Sequence, residues 1–336
     1  MATKRQKQAV FKQLLLPILI IIGALLYRPV SGLFHGGETW QAPPADENQL
    51  TVSYLDVGQG DATLIQKGGF HMLIDAGNNN KGETVVECLK QAGVKKLDVL
   101  VGTHPDSDHI GGLDTVIENI PVETLYLPKA TKETKTYQDV EKAMKAKKLT
   151  AQMPEIGKEY TYEKNLVLRF LSPDETYSDA NNNSLVVQAA YGKTRFLFMG
   201  DAEEEAEKKL VEKQYDLECD VLKLGHHGSH TATSQTFLQK ADPVYAIISC
   251  GRDNSYGHPH AEVLARLEEE DVQIYRTDTM GTIQAVSDGE QVTLSTEQEC
   301  LQFPADNVCI FPADNVCIFP VDNVCIFPAD NVCIFR

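Results

Sequence analysis

The sequence contains little that would suit a membrane channel. Of its 336 residues, only Leu14–Tyr27 form an apolar run that approaches spanning length. Because a spanning helix needs about 20 mostly apolar residues, a protein with several spans is excluded. The chain is not basic either: its formal charge is −17. The first 28 residues contain basic but no acidic side chains, so the rest of the chain is more acidic still. This argues against nucleic-acid binding through a basic surface, although bound metal can supply positive charge.

Cysteine pairs at metal-binding spacing are also missing. None of the eight cysteines forms a CxxC pair, so neither a cysteine-rich zinc site nor a disulfide framework is required. Cys219 and Cys250 flank apolar runs and are predicted to be small buried hydrophobic residues. Hydrophobic residues make up 42% of the chain and charged residues 24%, which excludes wholesale disorder.

The N-terminus is basic before its apolar run, which is typical of a signal sequence or a short anchor. No clear cleavage site follows the run, so residues 1–32 are predicted to be an uncleaved signal anchor that enters the membrane through residues 9–27. The basic side should stay cytoplasmic, which places the rest outside; a cleaved anchor would give a secreted protein. Residues 33–49 are polar, contain Gly and Pro, and are predicted to be a linker.

The C-terminus consists of four near-identical octapeptides of the form FPADNVCI in residues 303–336. Four short copies, each with a proline, are a poor basis for a solenoid. We interpret this segment as a low-complexity tail that takes no part in the chemistry. Residues 50–302 are therefore the predicted folded domain.

Within residues 50–302, strands and helices follow each other along both halves. Leu50–Asp56 alternates apolar and polar residues and predicts a half-buried strand. Leu97–Gly102 predicts a buried strand, and Thr194–Met199 and Val221–Leu224 are further strands with a Glu-rich helix between them. Mixed strands with interspersed helices favour an α+β sandwich of two sheets covered by helices.

Seven of the nine histidines fall in three short clusters. The first cluster follows the strand Leu97–Gly102 and contains four potential metal ligands within six residues: His104, Asp106, Asp108 and His109. Imidazole and carboxylate groups together suit Zn, Mn or Fe. A solvated polar loop without metal is the alternative.

Two further clusters follow. His226, His227 and His230 come after the strand Val221–Leu224, and His258 and His260 precede a helix. Asp201 ends the strand Thr194–Met199 in a Gly-Asp pair, which taken alone suits a helix N-cap. The order strand, Gly-Asp, helix, strand, Gly-His predicts that Asp201 and His226 reach the same sheet edge.

Six motifs together resemble the metallo-β-lactamase superfamily, specifically the extracytoplasmic hydrolase domain of ComEC-type DNA-uptake competence proteins. They occur in the expected order, at residues 55–61, 73–77, 103–112, 198–201, 222–229 and 256–260. The resemblance implies an αββα sandwich with a two-metal site at one edge.

Carried over residue by residue, the resemblance implies Zn²⁺ or Mn²⁺ ligands at six positions: His104 and Asp106 at the first metal, Asp108, His109 and His226 at the second, and Asp201 between the two. Asp75 would orient the loop. Asp106 stands where most of the superfamily has a second His, and a later His is missing, with residues 179–184 in its place. The first metal is therefore expected to be weakly held or to be a harder ion such as Mn²⁺. His227 could replace His226 as the ligand.

The implied chemistry is ester hydrolysis by a metal-activated hydroxide. Asp108, Asp201 and His258 are the predicted catalytic residues, with His258 as the acid for the leaving oxygen or, alternatively, in a capping or structural role. The predicted function is that of a membrane-anchored extracytoplasmic phosphodiesterase or nuclease acting on DNA, with no protein partner. Hydrolysis of a β-lactam, a thioester or a small phosphodiester is one alternative. A non-catalytic metal-binding surface module is the other.

Overall fold

The computed structural model describes residues 46–298, 309–310 and 332–333. The chain divides into two units, Met1–Trp40 and Gln41–Arg336, and all described residues belong to the second. The predicted anchor therefore lies outside the described residues, as do residues 33–45 of the predicted linker. Among the helices that the structure describes, none is long and apolar enough to cross a membrane.

The first sheet has eight strands in the order β15-β14-β1-β2-β3-β4-β5-β6. The strands from β15 to β3 pair antiparallel, and those from β3 to β6 pair parallel. Their bounds are β1 Leu50–Tyr54, β2 Thr63–Lys67, β3 Phe70–Ile74, β4 Leu97–Val101, β5 Val122–Tyr126, β6 Ala151–Gln152, β14 Ile283–Ser287 and β15 Val292–Thr296.

The second sheet has seven strands in the order β13-β12-β11-β10-β9-β8-β7. The strands from β10 to β13 pair parallel, and those from β7 to β10 pair antiparallel. Their bounds are β7 Glu159–Tyr162, β8 Leu166–Ser172, β9 Val186–Tyr191, β10 Thr194–Phe198, β11 Val221–Lys223, β12 Tyr245–Ile248 and β13 Gln273–Arg276. In the tail, β16 (Cys309–Ile310) pairs antiparallel with β17 (Val332–Cys333).

The helices of the described part are short to medium in length. They are α1 Gly82–Gln91, α2 Ser107–Ile110, α3 Leu113–Asn119, α4 Lys135–Lys147, α5 Glu204–Glu212, α6 Gln235–Ala241, α7 Ala261–Glu269 and α8 Thr277–Met280, with 3₁₀ turns at Asn181–Asn183 and Gly225–Gly228.

The two sheets bury one core between them. Val52 and Met72 of the first sheet and Phe170 and Phe196 of the second belong to the same buried cluster, and the rings of Tyr54 and Phe198 lie 6.1 Å apart. This central layer joins the two sheets into a sandwich.

Helices cover both outer faces. A second cluster joins Leu197 and Leu222 to Leu210 of α5, Phe237 of α6 and Val263 of α7. On the first sheet, the residues that alternate with the central layer, such as Leu64, Leu73 and Leu100, are buried too, and α1 and α4 both contact α3 on this half of the chain. The predicted α+β sandwich of two mixed sheets flanked by helices is confirmed.

Individual elements differ from the sequence-based prediction at a few points. The prediction that the first strand is half-buried is wrong, because every residue of β1 is buried. The strand lies between β14 and β2 inside a sheet that is covered on both faces, and its polar residue Ser53 accepts a hydrogen bond from Gln284 at 3.4 Å. The strands β6 and β7 and the short helices α2 and α8 were not predicted, since each has only two to four residues. Cys219 and Cys250 are buried, as predicted.

Candidate metal centre

The site lies where several strands of both sheets end. The strands β3 and β4 are parallel neighbours in one sheet, and β10, β11 and β12 are parallel neighbours in the other. In the first sheet, Asp75 follows β3 and the first histidine cluster follows β4. In the second sheet, Asp201 follows β10, the second histidine cluster follows β11 and the third follows β12. Parallel neighbours end at the same sheet edge, and this brings side chains from distant parts of the chain together.

The loop after β4 is held by Asp75. The Asp75 Oδ1 atom accepts a hydrogen bond from the Thr103 backbone N–H at 2.8 Å, and Oδ2 accepts one from the Thr103 hydroxyl at 2.7 Å. His109 Nδ1 also lies 2.8 Å from Asp75 Oδ2. A carboxylate can only accept, so Nδ1 of His109 carries the proton. His109 Nε2 is thereby turned away from Asp75.

Asp201 lies at the centre of the site, 3% exposed. Its Oδ1 atom is 3.0 Å from His109 Nε2 and 3.6 Å from His227 Nε2. Its Oδ2 atom is 3.7 Å from His104 Nε2 and 3.8 Å from His226 Nε2. The prediction that Asp201 and His226 meet at one sheet edge is confirmed by this contact. Four imidazoles therefore surround one carboxylate, two at each oxygen.

Both histidines of the adjacent pair reach the site. His227 is 1% exposed, and its Nε2 atom lies 3.3 Å from His109 Nε2 and 3.4 Å from Asp108 Oδ2. His226 is more exposed, and its Nδ1 atom lies 2.8 Å from Glu203 Oε1. The two residues have φ angles of 46° and 55°, a left-handed backbone that is uncommon for non-glycine residues.

Asp61 is a site residue to which the sequence analysis assigned no role. Asp61, His109, Asp201 and His227 form a buried group whose ligand atoms all lie within 4.8 Å of one another. The oxygens of Asp61, however, approach the Nδ1 atoms of His227 and His109, at 3.5 and 3.9 Å. Asp61 Oδ2 is also 2.6 Å from the ammonium of Lys223, which is 2% exposed. Asp61 thus approaches the rings of His227 and His109 at Nδ1, whereas Asp201 approaches them at Nε2.

Asp106 and His258 lie further out. Asp106 accepts a hydrogen bond from Lys132 at 2.8 Å and is 28% exposed, so it faces a lysine at the rim. The His258 ring lies 5.4 Å from the His226 ring and 6.0 Å from the His227 ring, and its buried Nδ1 atom has no hydrogen-bond partner. The alternative of a capping role for His258 is wrong, because the N-cap residue of α7 is His260.

The site combines ionised carboxylates with imidazoles of unlike basicity. Burial opposes ionisation of Asp201, but His109 and His227 outweigh it and hold its pKa well below the ordinary value. Burial and the neighbouring His109 lower the pKa of His104 to about 4. Burial lowers the pKa of His227, but Asp201 and the other carboxylates outweigh burial and raise this pKa to about 10. The carboxylates therefore favour a positive charge at the His227 position, and His104 is neutral at pH 7, which is the form that binds metal.

These residues fit divalent cations. His104 Nε2 and Asp201 Oδ1 are buried without a hydrogen-bond partner, and such atoms are costly unless something satisfies them. Two ligands bound at about 2.1 Å to one tetrahedral ion lie about 3.4 Å apart, close to the spacings of 3.0 to 3.8 Å between neighbouring ligand atoms of the site. Histidine with aspartate is also a donor set typical of catalytic rather than structural metal sites.

Comparison with known proteins agrees with this fold. Residues 55–252 match the family described as the metallo-beta-lactamase superfamily. The chain is 32% identical over 262 residues to ComE operon protein 3 of Bacillus subtilis, which covers 72% of this chain and 33% of that protein. It is 33% identical over 277 residues to competence protein ComA of Neisseria gonorrhoeae, covering 80% of this chain and 35% of that protein. The resemblance inferred from the motifs is confirmed.

These matches are partial in length, since the chain spans about a third of the curated relatives. Among solved structures, the metallo-beta-lactamase fold protein YhfI from Bacillus subtilis aligns with 73% of this chain and 100% of its own, at a TM-score of 0.48 and 10% identity.

Proposed function

This chain belongs to the metallo-beta-lactamase superfamily, and on that premise we propose that it is a metal-dependent phosphodiesterase that cleaves DNA. The observation that carries the proposal is Asp201, a buried carboxylate with imidazole nitrogens at both of its oxygens. Relatives whose names refer to competence and recombination support DNA as the substrate.

The residues that would hold two divalent ions, Zn²⁺ or Mn²⁺, are those predicted from the motifs apart from Asp106, which pairs with Lys132 at the rim. Asp201 would serve both ions, and His227 is added to the set. When bound, such ions supply Lewis acidity, which acidifies a water and stabilises charge on the reacting ester. Asp75 fixes the ring of His109 through the 2.8 Å contact at Nδ1. Asp108 adds a carboxylate beside His227.

His258 is the group placed to assist the leaving oxygen. Burial and then the nearby His227 lower the pKa of His258 to about 4, so at pH 7 the ring is neutral and has one N–H to donate. It therefore assists as a hydrogen-bond donor at neutral pH and as a full acid only at lower pH. Asn254 Oδ1 accepts from the His258 backbone N–H at 3.0 Å and fixes the segment.

A polar cavity of about 430 Å³ lies beside this segment and offers room for a nucleotide. Its lining includes Asn254, two basic residues, Lys81 and Arg252, and two acidic ones, Asp56 and Asp278. In a chain with a formal charge of −17, such basic side chains are the places where phosphates of a bound strand are attracted. We assign this cavity to the substrate.

We also propose how the domain is attached to the membrane and which way it faces. Residues 1–32 anchor the protein in the cell membrane through residues 9–27, residues 33–49 link the anchor to the hydrolase domain of residues 50–302, and that domain faces outward. Cleavage of the anchor would release it. The repeats at 303–336 take no part in the chemistry.

The experiment uses the full chain, purified without chelator and supplied with Mn²⁺ or Zn²⁺. Hydrolysis is measured on single-stranded DNA, bis-p-nitrophenyl phosphate, a β-lactam and a thioester. We expect cleavage of the first two and at least a 1000-fold loss in Asp201→Asn, on the order of 4 kcal/mol of transition-state stabilisation. The control is Asp271→Asn, an exposed aspartate with a φ of 54° in a turn, which should stay fully active. Turnover of only the β-lactam or the thioester, or of none, contradicts the proposal.

A further inference from the structure

The adjacent histidines His226 and His227 differ in the direction of their rings. Although they are neighbours in sequence, their rings are inclined by 64° with centroids 6.1 Å apart. Both have left-handed backbone angles. This turn sends one ring to each side of Asp201.

Each ring is fixed by its own partner at Nδ1. Nδ1 of His227 lies 2.9 Å from the carbonyl oxygen of Ser249, and a carbonyl can only accept, so this nitrogen carries the proton. Nδ1 of His226 lies 2.8 Å from Glu203 Oε1, again an acceptor. In the neutral form, each ring therefore presents a free lone pair at Nε2.

The two lone pairs face different oxygens of Asp201. Nε2 of His227 is 3.6 Å from Oδ1, together with His109 at 3.0 Å. Nε2 of His226 is 3.8 Å from Oδ2, together with His104 at 3.7 Å. Asp108 lies on the His227 side, at 3.4 Å from its Nε2 atom.

We propose that His226 and His227 bind different metal ions: His226 joins His104 at the first metal, and His227 joins Asp108 and His109 at the second. Asp201 gives one oxygen to each. This inference rests on the proposed function and changes its ligand set, because the sequence analysis placed His226 at the second metal.

Glu203 is a positioning residue in this arrangement. Its Oε1 atom accepts hydrogen bonds from Thr231 Oγ1 at 2.9 Å and from Asn181 Nδ2 at 3.1 Å as well as lying against His226. The Glu203 backbone N–H donates to Asn182 Oδ1 at 3.0 Å. The carboxylate is thus held from several directions, and it sets the proton of His226 on Nδ1. Partners of this kind typically change metal affinity by about 10- to 100-fold.

The test is Mn²⁺ binding to the full chain, followed by stoichiometry and by electron paramagnetic resonance. We expect the wild type to bind two Mn²⁺ ions and to give the signal of a coupled pair. His226→Ala and His227→Ala should each bind one ion and give an uncoupled six-line signal. The double variant His226→Ala/His227→Ala should bind none; if it keeps one ion, both histidines serve the same metal and the inference is overturned. Glu203→Gln should bind two ions, with about 10- to 100-fold weaker affinity for one of them. His230→Ala, an exposed histidine of the same loop, is the matched control and should bind two.

The outcomes separate the two proposals. If the wild type binds no pair of ions, the proposed function fails together with the inference. If the wild type binds two ions but His226→Ala also keeps both at wild-type affinity, only the inference is overturned. Circular dichroism reports the folding of each variant. If His226→Ala is unfolded, Glu203→Gln decides: affinities for both ions that are unchanged from the wild type contradict the assigned role.

Discussion

Gly60 allows the segment before β2 to approach the loop that carries Asp108 and His109. Its φ angle is 137°, and a Cβ atom at this position would lie 2.3 Å from the backbone oxygen of Asp108. The same oxygen accepts a hydrogen bond from the Asp61 backbone N–H at 3.0 Å. The substitution Gly60→Ala must therefore displace backbone on one side or the other, since neither partner is a flexible side chain.

The size of the effect follows from two contributions. A non-glycine residue at a positive φ costs about 1–3 kcal/mol, and forcing an extra methyl group into a packed site costs about 1–3 kcal/mol more. We expect Gly60→Ala to lower the free energy of unfolding by about 2–6 kcal/mol, a large part of the roughly 5–15 kcal/mol typical of a domain. The shift of Asp108 should also weaken Mn²⁺ binding by about 10-fold or more, as misplaced ligands do.

Gly93 supplies the control for backbone strain alone. Its φ angle is 75°, and nothing lies within 4 Å of a Cβ atom built on it. Gly93→Ala should cost only the strain contribution of about 1–3 kcal/mol and leave Mn²⁺ affinity unchanged. Urea unfolding and calorimetric Mn²⁺ titration of both variants measure these quantities. Equal stability losses with unchanged metal affinity in both variants would refute the role given to the Gly60 contact.

Two further predictions concern buried charges. Lys223→Met leaves Asp61 buried without its ammonium partner at 2.6 Å, which should cost about 3–5 kcal/mol; adding Asp61→Asn should recover part of this loss in a double-mutant cycle, and strictly additive losses would contradict the pairing. Burial raises the pKa of Glu207 from 4.5 to about 7, so the folded protein binds this proton more tightly than the unfolded chain does. The free energy of unfolding should therefore fall by up to about 3 kcal/mol as the pH rises from about 4.5 through 7. Glu207→Gln should flatten this decline in urea unfolding at pH 5 and pH 8, and an unchanged slope would contradict it.

Much of the fold could be predicted because its strands are strongly patterned. The strands Leu97–Val101, Thr194–Phe198 and Val221–Lys223 each end within one residue of the predicted bound. Short elements at sheet edges could not be found, since Glu159–Tyr162 has the sequence EYTY, with an exposed glutamate and only partly buried tyrosines. The burial of polar residues in β1 depends on what covers the sheet, which local alternation does not reveal.

The candidate site could likewise be predicted only in part from the sequence. Asp201 and the first histidine cluster could be found because they follow predicted strands closely. The positions of the side chains behind them depend on contacts between distant segments, as with Asp61 and Lys223, which are 162 residues apart in sequence and meet at 2.6 Å. The two roles inferred for His226 and His227 depend on two left-handed backbone angles, and no spacing rule predicts these. Asp61 lies in the motif at residues 55–61, which was the sequence signal for it, whereas its place in the site is shown by its contacts with His227 and His109.

In the proposed function, bound metal at Asp201 gives the protein its phosphodiesterase activity. The most direct measurement is a Mn²⁺ titration of the chelator-treated full chain while the hydrolysis of bis-p-nitrophenyl phosphate is followed. We predict no turnover before metal is added, a rise that saturates at two ions per chain, and no rise in Asp201→Asn. Turnover that is independent of Mn²⁺, or two bound ions without any phosphodiester hydrolysis, would contradict the account.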